Sequence, residues 1–174
     1  MKLEGRVWIF KDTDINTDLI YPGKYTYEPL SPKEQASHAM EDYDPCFSQE
    51  IKKHDIIVTG QNFGCGSSRE QAVTCLKYAG IDAIIASSFA RLFYRNAINN
   101  ALAAIECLQL VEFLFEKVEK AGSARTDFSL TIDLKKGTIH TESKNFSVPA
   151  WDEQAMLIFE SGGLVEFTKQ KIHS

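Results

Sequence analysis

The chain has 174 residues, 44% of them hydrophobic and 25% charged, with a formal net charge of -5 at pH 7. That length suits one hydrophobic core, so a single domain over residues 1–174 is expected, and the balance is that of an ordinary soluble globular chain. The acidic balance, with no Lys/Arg run longer than a pair, excludes the electrostatic footprint of a nucleic-acid binder.

Met1–Phe10 carries Lys2, Glu4 and Arg6 among its apolar residues. It reads as neither a signal peptide nor a membrane span, and the expected location is cytoplasmic. Within it, Gly5 to Phe10 reads as a first strand, and Lys11 to Asp18 as a polar, turn-rich loop. Ile20-Tyr21-Pro22-Gly23 makes another turn. Lys24 to Pro32, with Tyr25, Tyr27 and Pro29, has neither helical nor strand period and reads as a long exposed loop, a common place for function. Ser31 before Pro32 has the form of an N-cap with proline in first position, opening a short helix to about Asp42 that Asp44-Pro45 ends. Asp55 to Gly60 is a buried strand meeting a loop at its C-terminal end.

Ser68 to Ala79 places Ala72, Val73, Cys75, Leu76 and Ala79 at helical spacing, with Gly80 as C-cap. Ile81 to Ser87 is a second buried strand and Ser88 to Ala101 a second helix. The alternation predicts the α/β class with parallel strands. Leu102 to Cys107 reads as a further strand, Phe128–Asp133 and Thr138–Thr141 as a hairpin turning at Lys136-Gly137, and Trp151–Ser161 as a terminal helix closed by Gly162-Gly163. The hairpin is expected to add β structure packed on the α/β layer.

Cys46, Cys65, Cys75 and Cys107 lie far apart with no C-x-x-C pair, so the chain is expected to bind no metal of its own and to keep reduced, space-filling thiols. Chemistry concentrates instead in Asn62–Glu70. Gly64 and Gly66 allow positive φ and close approach of a ligand to the backbone, and the start of the next helix attracts an anion. Arg69 adds a planar fork for a carboxylate, and the Ser67 and Ser68 hydroxyls would face the bound group. The residue types leave phosphate and carboxylate both open, although the lysine of a phosphate loop is missing. Two plainer readings compete: Ser68 with Gln71 fits a capping box, and Cys65 is a thiol near a helix start. No base for Cys65 is apparent, because His38, His54, His140 and His173 form no recognisable set.

Asn62-Phe63-Gly64-Cys65-Gly66-Ser67-Ser68-Arg69-Glu70, followed by Ser88-Phe89-Ala90-Arg91-Leu92-Phe93-Tyr94-Arg95-Asn96-Ala97-Ile98-Asn99, resembles the small subunits of aconitase-superfamily hydro-lyases. Asn16-Thr17-Asp18-Leu19-Ile20-Tyr21-Pro22 and Gly162-Gly163-Leu164 extend the resemblance over nearly the whole chain. It implies a swivelling β/β/α domain with a mostly parallel central sheet, flanking helices and extra β structure. Such a domain closes over a large subunit that holds a 4Fe-4S cluster. It further implies that Ser67 removes the proton beside a substrate carboxylate, while Ser68 and Arg69 hold carboxylate oxygens. A serine can serve as base only where N–H groups and Arg69 stabilise its charged form in a water-poor site. Asp18 would orient a histidine of the large subunit; its plainer role is a turn aspartate bonding its own backbone. Arg91, Arg95 and Asn96 would tie loops or the subunit interface, or stand as solvated helix charges.

In the resembled family, substrate choice rests on the loop that here reads Lys24-Tyr25-Thr26-Tyr27-Glu28. Thr26 replaces the family's leucine. Tyr27 takes the selective position, without the guanidinium that a third carboxylate would want. An aromatic ring there favours an apolar substituent, which implies isomerisation of 2-isopropylmalate to the 3-isomer, a step of leucine biosynthesis. Homoaconitase (through Lys24), citramalate and 2,3-dimethylmalate dehydratase are the alternatives within the family, and an anion-binding regulatory module is the alternative outside it.

Overall fold

Alternation along the first strand divides the molecule. Trp8 and Phe10 face one buried cluster while Val7 and Ile9 face another, as period-2 side chains must when both sheet faces are covered. The computed structural model describes residues 1–119 and 122–172. In it, β1 (Lys2–Phe10) is the central strand of a seven-stranded sheet that also contains β2 (Asp55–Thr59), β3 (Ile81–Ala86), β4 (Ala103–Glu106), β5 (Ser123–Asp133), β6 (Thr138–His140) and β7 (Asn145–Ser147). Their order is β4-β3-β2-β1-β5-β6-β7.

β1 to β4 are parallel, with Val7 opposite Ile56 and Val58 opposite Ile85. β5, β6 and β7 add antiparallel ladders on the other side of β1. The parallel layer is thus as expected, but the hairpin does not pack on it: it continues the same sheet. β5 also begins five residues before the expected strand, because its outer half alternates with exposed polar residues and carries little apolar signal.

The helices are α1 (Thr17–Ile20), α2 (Pro32–Ser37), α3 (Phe47–Glu50), α4 (Gln71–Ala79), α5 (Arg91–Asn99), α6 (Leu108–Phe115), α7 (Glu153–Glu160) and α8 (Leu164–Ile172). α1, α3, α4 and α5 supply the cluster on the Trp8 face, where Phe47 meets the Trp8 ring edge-on at 4.9 Å. Leu110, Val111 and Leu114 of α6 and Met156 of α7 supply the other. Burying each such side chain fully contributes roughly 1.5–3 kcal/mol.

Gly80 closes α4 at φ 108, the left-handed geometry a C-cap glycine allows. Ser31 and Glu34 form a reciprocal capping box on α2, but that helix stops at Ser37 rather than Asp42. Met40, at φ 59, turns the chain back and donates its N–H to the Ile20 carbonyl at 2.8 Å. On the sheet, Asp55 accepts from Arg6, from the Trp8 indole at 2.9 Å and from the Lys52 N–H, fastening β1 to β2.

Candidate active site

The loops leaving the carboxyl ends of β1, β2 and β3 meet at one edge of the sheet, where open α/β sheets place their ligands. Backbone bonds join them. Gly64 N–H donates to Ile15 O at 2.8 Å, Thr17 N–H to Cys65 O at 2.8 Å, Phe63 N–H to Ser88 O at 3.1 Å, and Ala90 N–H to Phe63 O at 3.0 Å. Asn62 and Asp14, both at positive φ, bond side chain to side chain at 2.6 Å. Gly64, at φ 78, lies so close to Phe93 that a Cβ there would stand 2.2 Å from its ring.

Within this frame the Thr17 hydroxyl donates to the Ser67 carbonyl at 3.0 Å, and Arg69 N–H donates to the same oxygen at 2.9 Å. The Ser67 and Ser68 side chains are exposed, and neither hydroxyl has a hydrogen-bond partner among the described residues. α4 starts at Gln71 with Glu70 as its N-cap and no capping side chain, so Ser68 is not paired with Gln71 in a capping box. The helix opens three residues later than expected because Arg69 N–H turns back to Ser67 before helical bonding begins. Thr17, Ser67, Ser68, Arg69, Arg91 and Asn96 line a cleft of about 180 Å³. Arg91 and Asn96 therefore stand beside the serines. Their sequence signal was only their place in the second motif. A larger groove between α5 and Pro149–Asp152 shares Arg91 and Leu92 with the cleft.

The Arg69 guanidinium donates to Asp18 Oδ1 at 2.5 Å and to Tyr21 O at 3.4 Å, and only 19% of its side chain is exposed. The turn at the start of α1 is made by Asn16, whose side chain accepts from Asp18 N–H and Leu19 N–H. Asp18 itself reaches across to Arg69. Gly23 makes room for this pair: a Cβ at that position would lie 3.0 Å from Asp18 Oδ1 and 3.2 Å from both terminal guanidinium nitrogens.

Gly23–Tyr25 forms a single 3-10 turn. Lys24 donates to Glu41 at 2.9 Å and lies over the Tyr25 ring. The Tyr25 hydroxyl donates to the same carboxylate, and its ring stacks on His38 at 3.7 Å. Thr26 Oγ1 is buried without a hydrogen-bond partner, and Tyr27 is 94% exposed. The contacts of Glu41 and His38 were invisible in the sequence, since neither belongs to a motif. Burial pushes the Glu41 carboxyl up, but hydrogen bonds from Lys24, His38 and Tyr25 outweigh it and hold it below its usual range.

Burial, with the Asp14 carboxylate beside it, pushes the Cys65 thiol up, which opposes a thiolate nucleophile. Cys75 and Cys107 are buried and Cys46 is exposed, and His173 lies outside the described residues. Among the described residues no group of three His, Cys, Asp or Glu is placed to hold a metal ion. No helix among them is long and apolar enough to cross a membrane.

A glycine–serine loop and a tethered arginine thus meet at the carboxyl ends of the parallel strands of an α/β domain. The model of the aconitase C-terminal domain family matches residues 6–110, and the chain belongs to that family. It is 42% identical to the 3-isopropylmalate dehydratase small subunit of Hydrogenobaculum sp., over all of both chains. It is 45% identical to the methanogen homoaconitase small subunit of Methanothermobacter thermautotrophicus, over 94% of this chain and 88% of that one. The crystal structure of 3-isopropylmalate dehydratase from Methanocaldococcus jannaschii superposes with a TM-score of 0.81 at 40% identity, covering 98% of this chain and 95% of that one.

Proposed function

We propose that the chain is the small subunit of a hydro-lyase that converts 2-isopropylmalate to 3-isopropylmalate by dehydration and rehydration, and that it works with a large subunit carrying a 4Fe-4S cluster. The full-length similarity to small subunits of that name supports the activity and the partner. The observation that carries the site is the cleft in which Arg69, already held by Asp18, stands next to the hydroxyls of Ser67 and Ser68, which have no hydrogen-bond partner among the described residues.

In this reading the Arg69 fork and the Ser68 hydroxyl take the oxygens of a substrate carboxylate, and Asp18 keeps the guanidinium aimed at them. Ser67 Oγ takes the proton from the carbon beside that carboxylate and returns it in the rehydration half. A serine hydroxyl is a poor base in water. The large subunit's surface must therefore cover the exposed Ser67 and exclude solvent, so that nearby N–H groups and Arg69 can stabilise the deprotonated oxygen. Tyr27, with Tyr25 and Thr26 behind it, offers an aromatic, uncharged surface to the substrate's alkyl group.

Reconstitution with the cognate large subunit under anaerobic conditions is the test. The wild-type pair is expected to interconvert the two isopropylmalates, and Ser67→Ala to lower kcat by about 10²- to 10⁴-fold, the range for a general base. Wild-type turnover by the Ser67→Ala pair would remove Ser67 from the role. A homoaconitase reading is favoured by the Methanothermobacter relative and by Lys24 in the selectivity loop. Turnover of homocitrate at least as efficient as that of 2-isopropylmalate would select it.

A further inference from the structure

Glu41 lies outside every motif, yet it is the hub of the loop to which substrate choice is assigned. Its Oε1 accepts from Lys24 at 2.9 Å and from the Tyr25 hydroxyl at 3.1 Å, while Oε2 lies 2.6 Å from His38 Nδ1 and 3.2 Å from the same hydroxyl. The His38 ring covers the face of Tyr25. The backbone before Glu41 is fixed, because Met40 is fully buried and bonded to Ile20 O. The hub is also coupled to the site: the turn it holds starts at Gly23, which lies against the Asp18–Arg69 pair.

We propose that Glu41 is a positioning residue that sets substrate specificity, by neutralising Lys24 and holding the Gly23–Tyr27 turn so that its tyrosines, and not a cation, face the substrate's substituent. The proposal rests on the reading of this chain as the small subunit of a 2-alkylmalate hydro-lyase. Without Glu41, the turn beside Arg69 would carry a free ammonium, the group that a third carboxylate seeks. With it, Lys24 is paired and the same turn offers a tricarboxylic acid no free cation. Selectivity here is as much rejection of the wrong acid as attraction of the right one. A lone Lys–Glu pair with Lys24 58% exposed would contribute little. Glu41 matters because one carboxylate restrains three side chains at once.

The experiment compares kcat/KM for 2-isopropylmalate and homocitrate in the reconstituted complex. Glu41→Gln keeps the size and a hydrogen-bond acceptor for Tyr25 but removes the charge that holds Lys24. The preference for 2-isopropylmalate is expected to fall about tenfold, the worth of one charge-assisted hydrogen bond, chiefly through a lower KM for homocitrate. Glu41→Asp should retain part of the preference, and adding Lys24→Met to Glu41→Gln should restore it. An unchanged preference in Glu41→Gln, or no restoration by Lys24→Met, overturns the proposal. Tryptic cleavage after Lys24 in the isolated full chain gives a second readout, expected to be faster in Glu41→Gln. Equal cleavage overturns the positioning role whatever the substrate. Wild-type complex inactive on both acids, with faster cleavage in the variant, would instead reject the activity and leave the tether standing.

Discussion

The Asn62–Glu70 loop and the Gly23–Tyr27 turn approach the same guanidinium but are held by different means. The first is fastened by backbone hydrogen bonds to the segments after β1 and β3, with Gly64 seated on Phe93. The second is fastened mainly by side chains gathered on one carboxylate. A backbone-held loop fixes the geometry of chemistry and tolerates changes of side chain but not of glycine. A side-chain-held turn can be retuned one residue at a time without disturbing the sheet.

Three substitutions or conditions test this contrast. Gly64→Ala combines positive φ with a Cβ only 2.2 Å from the Phe93 ring and should cost about 2–4 kcal/mol, read as a lower urea midpoint. A loss below about 0.5 kcal/mol would mean that the loop is not clamped as described. Gly23→Ala has no such strain and crowds only the Asp18–Arg69 pair. Stability should change by less than about 1 kcal/mol while KM rises several-fold, and an unchanged KM would separate the turn from the site.

Of these two regions, acid should act on the one that contains the turn. The Glu41 and Glu34 carboxyls are both held below their usual range, Glu34 by hydrogen bonds from the Ser31 hydroxyl and N–H. A depressed carboxyl stabilises the fold above its unfolded value, about 4.3, and loses that contribution as pH falls through the lower folded value. Protection against hydrogen exchange should therefore fall at residues 24–41 below about pH 4, and stay high at Phe63 and Gly64. An equal fall in both regions would erase the distinction.

Much of the parallel half was legible because its signals are local: apolar runs ending in glycine, helical spacing in α4, and the Gly80 cap. α6 was missed because Leu108–Phe115 is apolar nearly all round and starts at Cys107 without a capping side chain. α8 was missed because Gly162-Gly163, read as a stop, is a joint between two helices, both glycines having positive φ. At the site, the gathering of Ser67, Ser68 and Arg69 was legible because all three lie in one short motif. The Asp18–Arg69 tie and the Glu41 hub were not. They join residues distant in sequence, and no local period or cap marks them.

The Asp18–Arg69 pair has one more consequence. An arginine free in solution samples many rotamers, and immobilising such a side chain on binding costs roughly 0.5–1.5 kcal/mol. Arg69 is already held by a carboxylate and a carbonyl, both through the same terminal nitrogen. Its disorder is therefore lost when the chain folds, and in the proposed role an arriving acid would meet a fork whose other N–H groups are already oriented.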